Sequence, residues 1–366
     1  MTPDIELPGN AARLRVGPQH SRVGLGRLTG ETRTGTNAFT ASYALDGVGN
    51  RTSQTVGGST TSFTLNADDE LTATSGGFTN SYSYNANGEQ TGRTLGGAAY
   101  SLSYDYDGQL TQITQGQTST DFAYDALGRR FSRTAGGTTT EFVYGAGGMA
   151  LEKQGGSYSQ ACSQANGLLR RGSEYPLFDG HGSERTVTNS SQTVTGTANY
   201  EAFGQTVGTT GSSTNPYMYA GNWGYRNDGD AGLMHVGARY YDAQVGRFIT
   251  RDTVLSEHPY LYCEHDAADA VDPSGHGVVG PRFDDHWWSH VDWHEVGHWT
   301  WDAGWGGLIG LIGGVGGTMI GGLVGGVTVP IVGLPIGAVV GGIVGGTVGI
   351  GLGTVIGEVT WQLYLQ

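Results

Sequence analysis

In the C-terminal part of the chain, histidine and glutamate stand at a spacing that could bind a metal. His294-Glu295-Val296-Gly297-His298 matches the HExxH pattern, in which two histidines bind zinc and the glutamate activates a water molecule. The match is only five residues long, and no Gly-x-x-His extension follows it. Zinc held by His294 and His298 is therefore kept as an alternative, and the sequence indicates no other cofactor.

A second candidate is a pair of carboxylates, Asp252 and Asp272, with an arginine, Arg247. Like charges in one site push one pKa up, so such a pair can share a proton. Arg251, directly before Asp252, competes with Arg247 for the basic role. In the structural alternative, residues 272–275 (Asp-Pro-Ser-Gly) form a β-turn and Arg247 is an ion-pair partner. Both interpretations stay open.

The segment before these residues is a repeat. Aromatic anchors recur with steps of 21, 20, 20 and 20 residues, at Phe63, Tyr84, Tyr104, Tyr124 and Tyr144. Each anchor opens a turn-like segment rich in Asp, Asn and Gly, between short alternating runs of Thr, Tyr and Phe, which predicts strand–turn–strand units. Because a fixed period indicates architecture, we interpret the Tyr-Asp pairs as structural, with each aromatic packing on the next unit. The fold class is mainly β.

The remaining regions follow from changes in composition. We predict a lead-in at 1–37, a β-repeat domain at 38–215, a closing segment at 216–275, a Trp/His-rich segment at 276–305 and an apolar tail at 306–366. Residues 152–176 break the period and are interpreted as an irregular insertion. Residues 206–215, rich in Ser, Thr and Gly, are interpreted as a flexible loop.

Charge and cysteine content exclude some classes of function. The net charge is −14 and Lys153 is the single lysine, so nucleic acid, which is bound largely through its phosphates, is not an expected partner. Cys162 and Cys263 are the two cysteines and do not indicate a disulfide scaffold. The N-terminus lacks the basic and apolar regions of a classical signal peptide.

The tail is typical of a membrane-inserting hairpin. No Asp, Glu, Lys or Arg occurs between Asp302 and Glu358, and a Pro-bounded turn at 328–335 divides this run into two arms. Each arm exceeds the roughly 20 residues that cross a bilayer as a helix. Glycines every four residues give one helix face on which another helix packs closely, so the tail is expected to self-associate. In the second arm these are Gly333, Gly337, Gly341, Gly345, Gly349, Gly353 and Gly357. A soluble Gly-rich loop or a disordered tail is the alternative.

Tryptophans precede the tail and are typical of a membrane interface, because indole rings favour headgroup depth. They are Trp287, Trp288, Trp293, Trp299, Trp301 and Trp305.

The closing segment resembles a known signature. Residues 237–248 (GARYYDAQVGRF), Arg251-Asp252, residues 260–262 (YLY) and 271–275 (VDPSG) are similar to the core-associated signature of RHS/YD-repeat proteins. The resemblance implies an antiparallel β-sheet that spirals into a shell, here a partial one because the units are few. It also implies self-cleavage just after the Asp-Pro-x-Gly turn by Asp252, Asp272 and Arg247. Two departures are Thr253, where proline is usual, and His276, where leucine is usual.

The combined expectation is an RHS-type polymorphic toxin. Its β-repeat carrier would deliver a pore-forming or depolarising C-terminal effector in competition between bacteria. The resemblance implies a target-cell membrane, a cognate immunity protein and a secretion-system spike or adaptor as partners, with delivery that needs no classical signal peptide. Enzymatic activity is expected at most in the self-cleavage. A zinc-dependent hydrolase and a membrane-anchored β-repeat binding protein are the alternatives.

Overall fold

The described part of this computed structural model comprises residues 19–279 without 36, 146–147, 166 and 255–257. It is mainly β, as predicted, and its strands form three antiparallel sheets. The first sheet contains sixteen strands in chain order. They are β1 (Gln19–Arg22), β2 (Leu28–Arg33), β3 (Phe39–Leu45), β4 (Arg51–Val56), β5 (Ser59–Leu65), β6 (Leu71–Gly76), β7 (Asn80–Tyr84), β8 (Gln90–Leu95), β9 (Ala98–Tyr104), β10 (Leu110–Gln115), β11 (Thr118–Tyr124), β12 (Arg130–Ala135), β13 (Thr138–Gly145), β14 (Gly148–Gln154), β15 (Ser157–Ala165) and β16 (Gly167–Arg171).

Two smaller sheets of four strands follow. The second sheet contains β17 (Tyr175–Phe178), β18 (Glu184–Thr188), β19 (Val194–Tyr200) and β20 (Thr206–Gly211). The third contains β21 (Arg226–Asn227), β22 (Met234–Val236), β23 (Arg239–Asp242) and β24 (Arg247–Phe248). Short 3₁₀ turns lie at Gly24–Gly26, Gly221–Trp223, Asp230–Gly232 and Cys263–His265.

The two Tyr-Asp pairs of the repeat, Tyr104-Asp105 and Tyr124-Asp125, are structural, which confirms the interpretation from the sequence. The Tyr104 hydroxyl donates a hydrogen bond to the carbonyl oxygen of Gln90, fourteen residues earlier (2.9 Å). Asp105 Oδ1 then accepts from the backbone N–H groups of Asp107 (3.0 Å) and Gln109 (2.9 Å) and so closes the turn between β9 and β10. The carboxylate thereby satisfies donors that the turn would otherwise leave unpaired.

Four hairpins of the first sheet, at residues 57–58, 96–97, 136–137 and 155–156, contain a Gly-Gly pair with positive φ at both residues. An example is Gly136 (φ +55°) and Gly137 (φ +75°) between β12 and β13. This conformation matches the twist of the flanking strands and suits glycine, which has no Cβ.

Two expectations about loops were wrong. Residues 152–176 hold all of β15 and β16, which extend the first sheet, and residues 206–211 form β20. The Gly155-Gly156 hairpin, with φ of +57° and +78°, continues the alternation of turns after the aromatic period has been lost. These segments form strands because their backbones pair with neighbouring strands, and this pairing does not require a regular side-chain pattern.

The closing segment packs across one face of the large sheet. Arginines of the sheet form ion pairs with aspartates of the closing segment: the buried Arg130 with Asp228 (2.5 Å) and the partly buried Arg133 with Asp230 (2.5 Å). Arg93 on β8 is paired in the same way with Asp242 on β23. Aromatic residues of the closing segment fill the space between these pairs, including Tyr225, Tyr241, Phe248, Tyr260 and Tyr262, each at most 2% exposed. Ion pairs and buried aromatic side chains therefore fix the closing segment on the face of the large sheet.

Candidate functional site: an aspartate pair at the closing turn

Asp252 and Asp272, predicted as a pair, lie on either side of one guanidinium group. Arg239 Nη2 is 2.6 Å from Asp252 Oδ2 and 3.6 Å from Asp272 Oδ2. The three side chains are only 3–4% exposed. Arg239 Nε also donates to the carbonyl oxygen of Gly275. One arginine thus holds both carboxylates and the backbone of the segment that leaves the closing turn. We call these residues, together with His276, the aspartate pair site.

Asp272 opens the closing turn and is bonded mainly to backbone. Its Oδ1 accepts from the N–H groups of Gly275 and Gly277, both at 2.9 Å, and from the hydroxyl of Ser274 at 3.2 Å. Burial raises the pKa of Asp272, and Asp252 acts in the same direction, while Arg239 and these hydrogen bonds partly offset the rise. The β-turn interpretation is therefore correct, and it coexists with the carboxylate pair. A buried carboxyl group with a raised pKa, beside an arginine-bound Asp252, is an arrangement suited to general acid–base chemistry.

Buried tyrosines and a glycine fix the position of this turn. The Asp272 N–H donates to the Tyr225 hydroxyl (2.7 Å), which lies 3.0 Å from the Tyr262 hydroxyl. Gly237, with φ of +53°, passes so close that an added Cβ would lie 2.0 Å from the carbonyl oxygen of Ser274. Because no side chain fits there, the strand turn before β23 and the closing turn can approach each other only with glycine at this position.

Asp252 lies just after β24 and has further donors at its other oxygen. Oδ1 accepts from the backbone N–H of Val254 (3.0 Å) and lies 2.9 Å from Nδ1 of His276. The His276 side chain is 32% exposed, whereas Asp252 is 3% exposed. His276 directly follows the closing turn, so its imidazole is the solvent-facing edge of the aspartate pair site.

The assignment of the arginine differs from the prediction. Arg247 is directed away from the pair: its guanidinium donates to Asn50 Oδ1 (2.7 Å) and to the carbonyl oxygen of Asp69, and burial lowers its pKa to about 10. Arg251 is exposed. β24 ends at Phe248, so the regular alternation of side chains does not extend from Arg247 to Asp252, and their spacing of five residues did not predict the direction of the arginine. Arg239 and His276 were not assigned to the site; the signal available for Arg239 was its place between Gly237 and Phe248 in the same signature.

A recess of about 560 Å³ opens beside the closing turn. Its wall contains Pro273 and Ser274 together with side chains of the large sheet and the closing segment, among them Phe142, Tyr144, Tyr217 and Trp223. Ser274 itself is exposed. Solvent therefore has access to the turn from this side.

The predictions for the C-terminal region lie outside the described residues. These are the zinc pair His294 and His298, the tryptophans at the membrane interface and the glycine-stepped hairpin. Within residues 19–279, as far as they are described, there is no cluster of three or more His, Cys, Asp or Glu that could hold a metal ion. The same part of the chain contains no helix with the length and apolarity needed to span a membrane.

The repeated Tyr-Asp turns and the closing segment together define a YD-repeat protein. A model of the teneurin YD-shell family matches residues 25–260, and the chain belongs to this family. The relationship accounts for the aromatic period, the turn aspartates and the closing segment in one fold.

More specific similarities cover smaller shares of the proteins concerned. The tRNA3(Ser)-specific nuclease WapA of Bacillus spizizenii is 31% identical over 111 residues, which are 28% of this chain and 5% of that protein. The tRNA nuclease WapA of Bacillus subtilis is 30% identical over the same length and shares. The TcdB2-TccC3-Cdc42 crystal structure has a TM-score of 0.39 at 15% identity, covering 71% of this chain and 18% of that one. The Photorhabdus luminescens Tc holotoxin pore has a TM-score of 0.40 at 14% identity, covering 73% and 18%. This chain thus spans only a small part of the length of each.

Proposed function

We propose that this chain is the carrier part of an RHS-type polymorphic toxin, and that it cuts itself after the closing turn to free a C-terminal effector. The observation that carries the proposal is the aspartate pair site: two buried carboxylates and an arginine converge on the backbone at residues 275–277. A turn that served only to reverse the chain would not require an ion-paired second aspartate.

The bond to be cut is His276–Gly277. The nitrogen that must leave, Gly277 N, donates its N–H to Asp272 Oδ1 at 2.9 Å, so the carboxyl group that would protonate it lies within reach. Asp252, held by Arg239, takes a proton from water, and the water oxygen forms a bond to the carbonyl carbon of His276. The carbon–nitrogen bond then breaks as Asp272 gives its proton to Gly277. The products are a carboxyl group on His276 and an amino group on Gly277, and the proton gained by Asp252 restores the shared proton of the pair.

Replacement of Asp272 by Asn tests the self-cleavage. The amide keeps an oxygen that can accept the hydrogen bonds of the turn but cannot deliver a proton, so we expect an intact chain where the wild-type protein gives two fragments. Asp269→Asn, the same change at a half-exposed aspartate of the same segment, should cleave normally.

N-terminal sequencing of the released fragment identifies the bond. We expect Gly277 as its first residue. The neighbouring Gly275–His276 bond is the competitor, because its carbonyl oxygen accepts the hydrogen bond from Arg239. A fragment that begins at His276 would move the cut by one residue, and a single intact band in the wild-type protein at all times would refute the carrier's self-cleavage altogether.

The effector in this proposal is the apolar tail, acting as a self-associating, pore-forming hairpin in the membrane of a competing bacterium. Its support is the uncharged run between Asp302 and Glu358 and the four-residue glycine step. Gly341→Leu with Gly345→Leu should leave membrane partition intact and abolish depolarisation, because leucine fills the packing face. Val340→Leu with Val344→Leu, off that face, is the matched control. Equal toxicity of the glycine variant would end the pore interpretation.

Partners follow from the same proposal. A toxin of this kind requires an immunity protein in the producing cell and a delivery component such as a secretion-system spike or adaptor. Co-expression of the gene adjacent to this one should protect cells that express residues 277–366. Failure of every neighbouring gene to protect would count against a competition role.

A further inference from the structure

The second sheet meets the first strands of the large sheet through two buried glutamates. Glu31 on β2 is 2% exposed, and Glu201, in the turn between β19 and β20, is 5% exposed. Hydrogen bonds cross the contact in both directions: the Ala202 N–H donates to Glu31 Oε2 (2.7 Å), and the Tyr43 hydroxyl on β3 donates to Glu201 Oε2 (2.9 Å). We call the contact of the turn at residues 201–205 with β2 and β3 the seam. Both carboxyl groups are part of the seam itself.

Neither glutamate forms an ion pair with another residue in the described part of the chain. Burial of a carboxyl group without a bonded cation favours its neutral form, and a second carboxyl group nearby adds to this effect. Burial accordingly raises the pKa of Glu31 to about 7 from the ordinary 4.5, and the charge of Glu201 adds to the rise. Burial also raises the pKa of Glu201.

The arginines that face the seam are bonded to other groups. Arg33 on β2 donates to the carbonyl oxygen of Tyr200 (2.8 Å), Arg51 on β4 donates to Gln54 Oε1 (2.6 Å), and Arg185 on β18 pairs with Asp179 (2.6 Å). Their charges and the hydrogen bonds to the two glutamates oppose the effect of burial, but the pKa of each glutamate remains raised. His265 packs against the ring of Tyr43, and burial lowers its pKa well below the usual range, so this imidazole adds no positive charge.

We infer that the seam is a pH-sensitive latch: it stays closed while Glu31 and Glu201 hold at least one proton between them, and it opens when both are charged. The turn at residues 201–205 then leaves β2 and β3. This inference goes beyond the proposed function and does not depend on self-cleavage, because it concerns a different part of the fold.

The opening is expected to be local. The backbones of β19 and β20 pair with each other from Gly196 with Gly211 to Tyr200 with Thr206, and this pairing does not involve the two carboxyl groups. Charging the glutamates therefore separates the turn from β2 and β3 without requiring that the second sheet unfold.

The sign of the pH dependence follows from proton linkage. The closed seam holds the proton of Glu31 more tightly than the open seam, in which the group has its ordinary pKa of 4.5. The closed seam is therefore fully stable below pH 4.5, loses stability as the pH rises to about 7, and changes little above pH 8. Between pH 5 and pH 8, Glu31 alone should raise the equilibrium constant for opening by about 70-fold.

Hydrogen–deuterium exchange of the full chain between pH 5 and pH 8 tests the opening. The chain carries Asp272→Asn, so that a cut does not enter the measurement, and exchange is expressed as protection factors, which correct for the pH dependence of intrinsic exchange. The reporter is the peptide that contains the N–H groups of Ala202 and Gln205, which bond to the two glutamates at 2.7 and 2.9 Å. The turn at residues 105–109 of the large sheet is the internal control.

The protection factor of the seam should fall by about 70-fold from pH 5 to pH 8, while that of residues 105–109 stays constant. Glu31→Gln keeps an oxygen that accepts from Ala202 and should remove most of this fall, and Glu31→Gln with Glu201→Gln should remove all of it. Glu141→Gln, at an exposed position on β13, is the matched control and should follow the parent.

Three outcomes would overturn the inference. They are equal protection of the seam at pH 5 and pH 8, a fall that persists in the double glutamine variant, and an equal fall at residues 105–109, which would indicate general unfolding. None of them bears on self-cleavage, and an uncut wild-type chain would refute the proposed function without touching the seam.

Infrared spectroscopy of the same proteins observes the proton directly. The difference spectrum between the parent and the double glutamine variant at pH 6 should contain the C=O stretching band of a neutral carboxyl group, and this band should disappear by pH 8. Absence of the band at pH 6 would show that both glutamates are charged in the closed seam, and the latch would be rejected.

Discussion

Glu152 should be one of the most sensitive positions for stability. Its carboxylate lies on β14 and is bonded to Arg171 on β16 in bidentate fashion (2.8 and 2.9 Å) and to Arg226 on β21 (2.9 Å). The exposed fractions of the three side chains are 3%, 9% and 9%. One carboxylate therefore bonds to two buried arginines and joins the large sheet to the closing segment.

The change Glu152→Gln removes this charge but keeps the shape. The amide can accept from one arginine but presents N–H groups to the other, so the buried arginines lose their shared carboxylate and keep only Asp228 (2.8 Å from Arg226) and Glu174 (4.0 Å from Arg171). Breaking a buried pair in this way costs about 3–5 kcal/mol. Since the urea dependence for a domain of this size is about 3 kcal/mol per molar, the urea midpoint should fall by about 1–1.7 M. Glu141→Gln, at an exposed position on the neighbouring β13, should shift it by less than about 0.2 M, since surface changes typically stay within about 0.5 kcal/mol.

Unfolding is followed by tyrosine and tryptophan fluorescence in the Asp272→Asn background, so that a cut chain does not enter the measurement. Burial by itself raises the pKa of Glu152, but the hydrogen bonds and charges of the two arginines outweigh it and the net pKa is lowered. A lowered pKa contributes stability above the ordinary value of 4.5, which is lost as the pH falls through the folded-state value. The difference between Glu152→Gln and its parent should therefore shrink below about pH 4.5. A midpoint for Glu152→Gln within 0.2 M of the Glu141→Gln control at pH 7 would refute this reasoning.

Three further predictions concern other parts of the fold. Burial and a neighbouring glutamate raise the pKa of Glu31 to about 7. Its ionisation therefore destabilises the folded state increasingly as the pH rises above 4.5, the ordinary pKa of the group. Glu31→Gln should stabilise the protein by about 1–3 kcal/mol at pH 8 and by little at pH 4, as measured by urea unfolding. Gly237→Ala should lower the free energy of unfolding by about 3 kcal/mol or more, because the added Cβ would lie 2.0 Å from a carbonyl oxygen. Gly224→Ala is the control: its φ is +91° but no atom lies within 4 Å, so the loss should be only about 1 kcal/mol. Equal losses in Tm for the two variants would contradict this. Tyr124→Phe removes the hydroxyl that donates to the carbonyl oxygen of Leu110 (2.8 Å) and should cost about 1 kcal/mol, which a lack of change in the urea midpoint would disprove.

The sequence by itself determined the repeating part of the fold. The twenty-residue step of the aromatic anchors, and the Asp or Asn that follows them, predicted the strand–turn–strand unit because each interaction is local: Asp105 bonds backbone groups two and four residues ahead. The pairing of Asp252 with Asp272 was also proposed from the sequence, through its resemblance to a known signature. Local hydrogen bonds and short-range turn chemistry are the part of folding that a sequence pattern records directly.

Only the tertiary structure decided which arginine serves the aspartates. Arg239, Arg247 and Arg251 are all within one short stretch, and the choice depends on how β23 and β24 face the sheet: Arg247 reaches Asn50, nearly two hundred residues away, and Arg239 reaches the closing turn. The ion pairs of Glu152 could not be predicted from the sequence either, since its two arginine partners lie 19 and 74 residues further along the chain. Contacts of this kind are fixed by the packing of the closing segment on the large sheet, and side-chain direction at such a contact is set by long-range geometry that residue type and spacing do not encode.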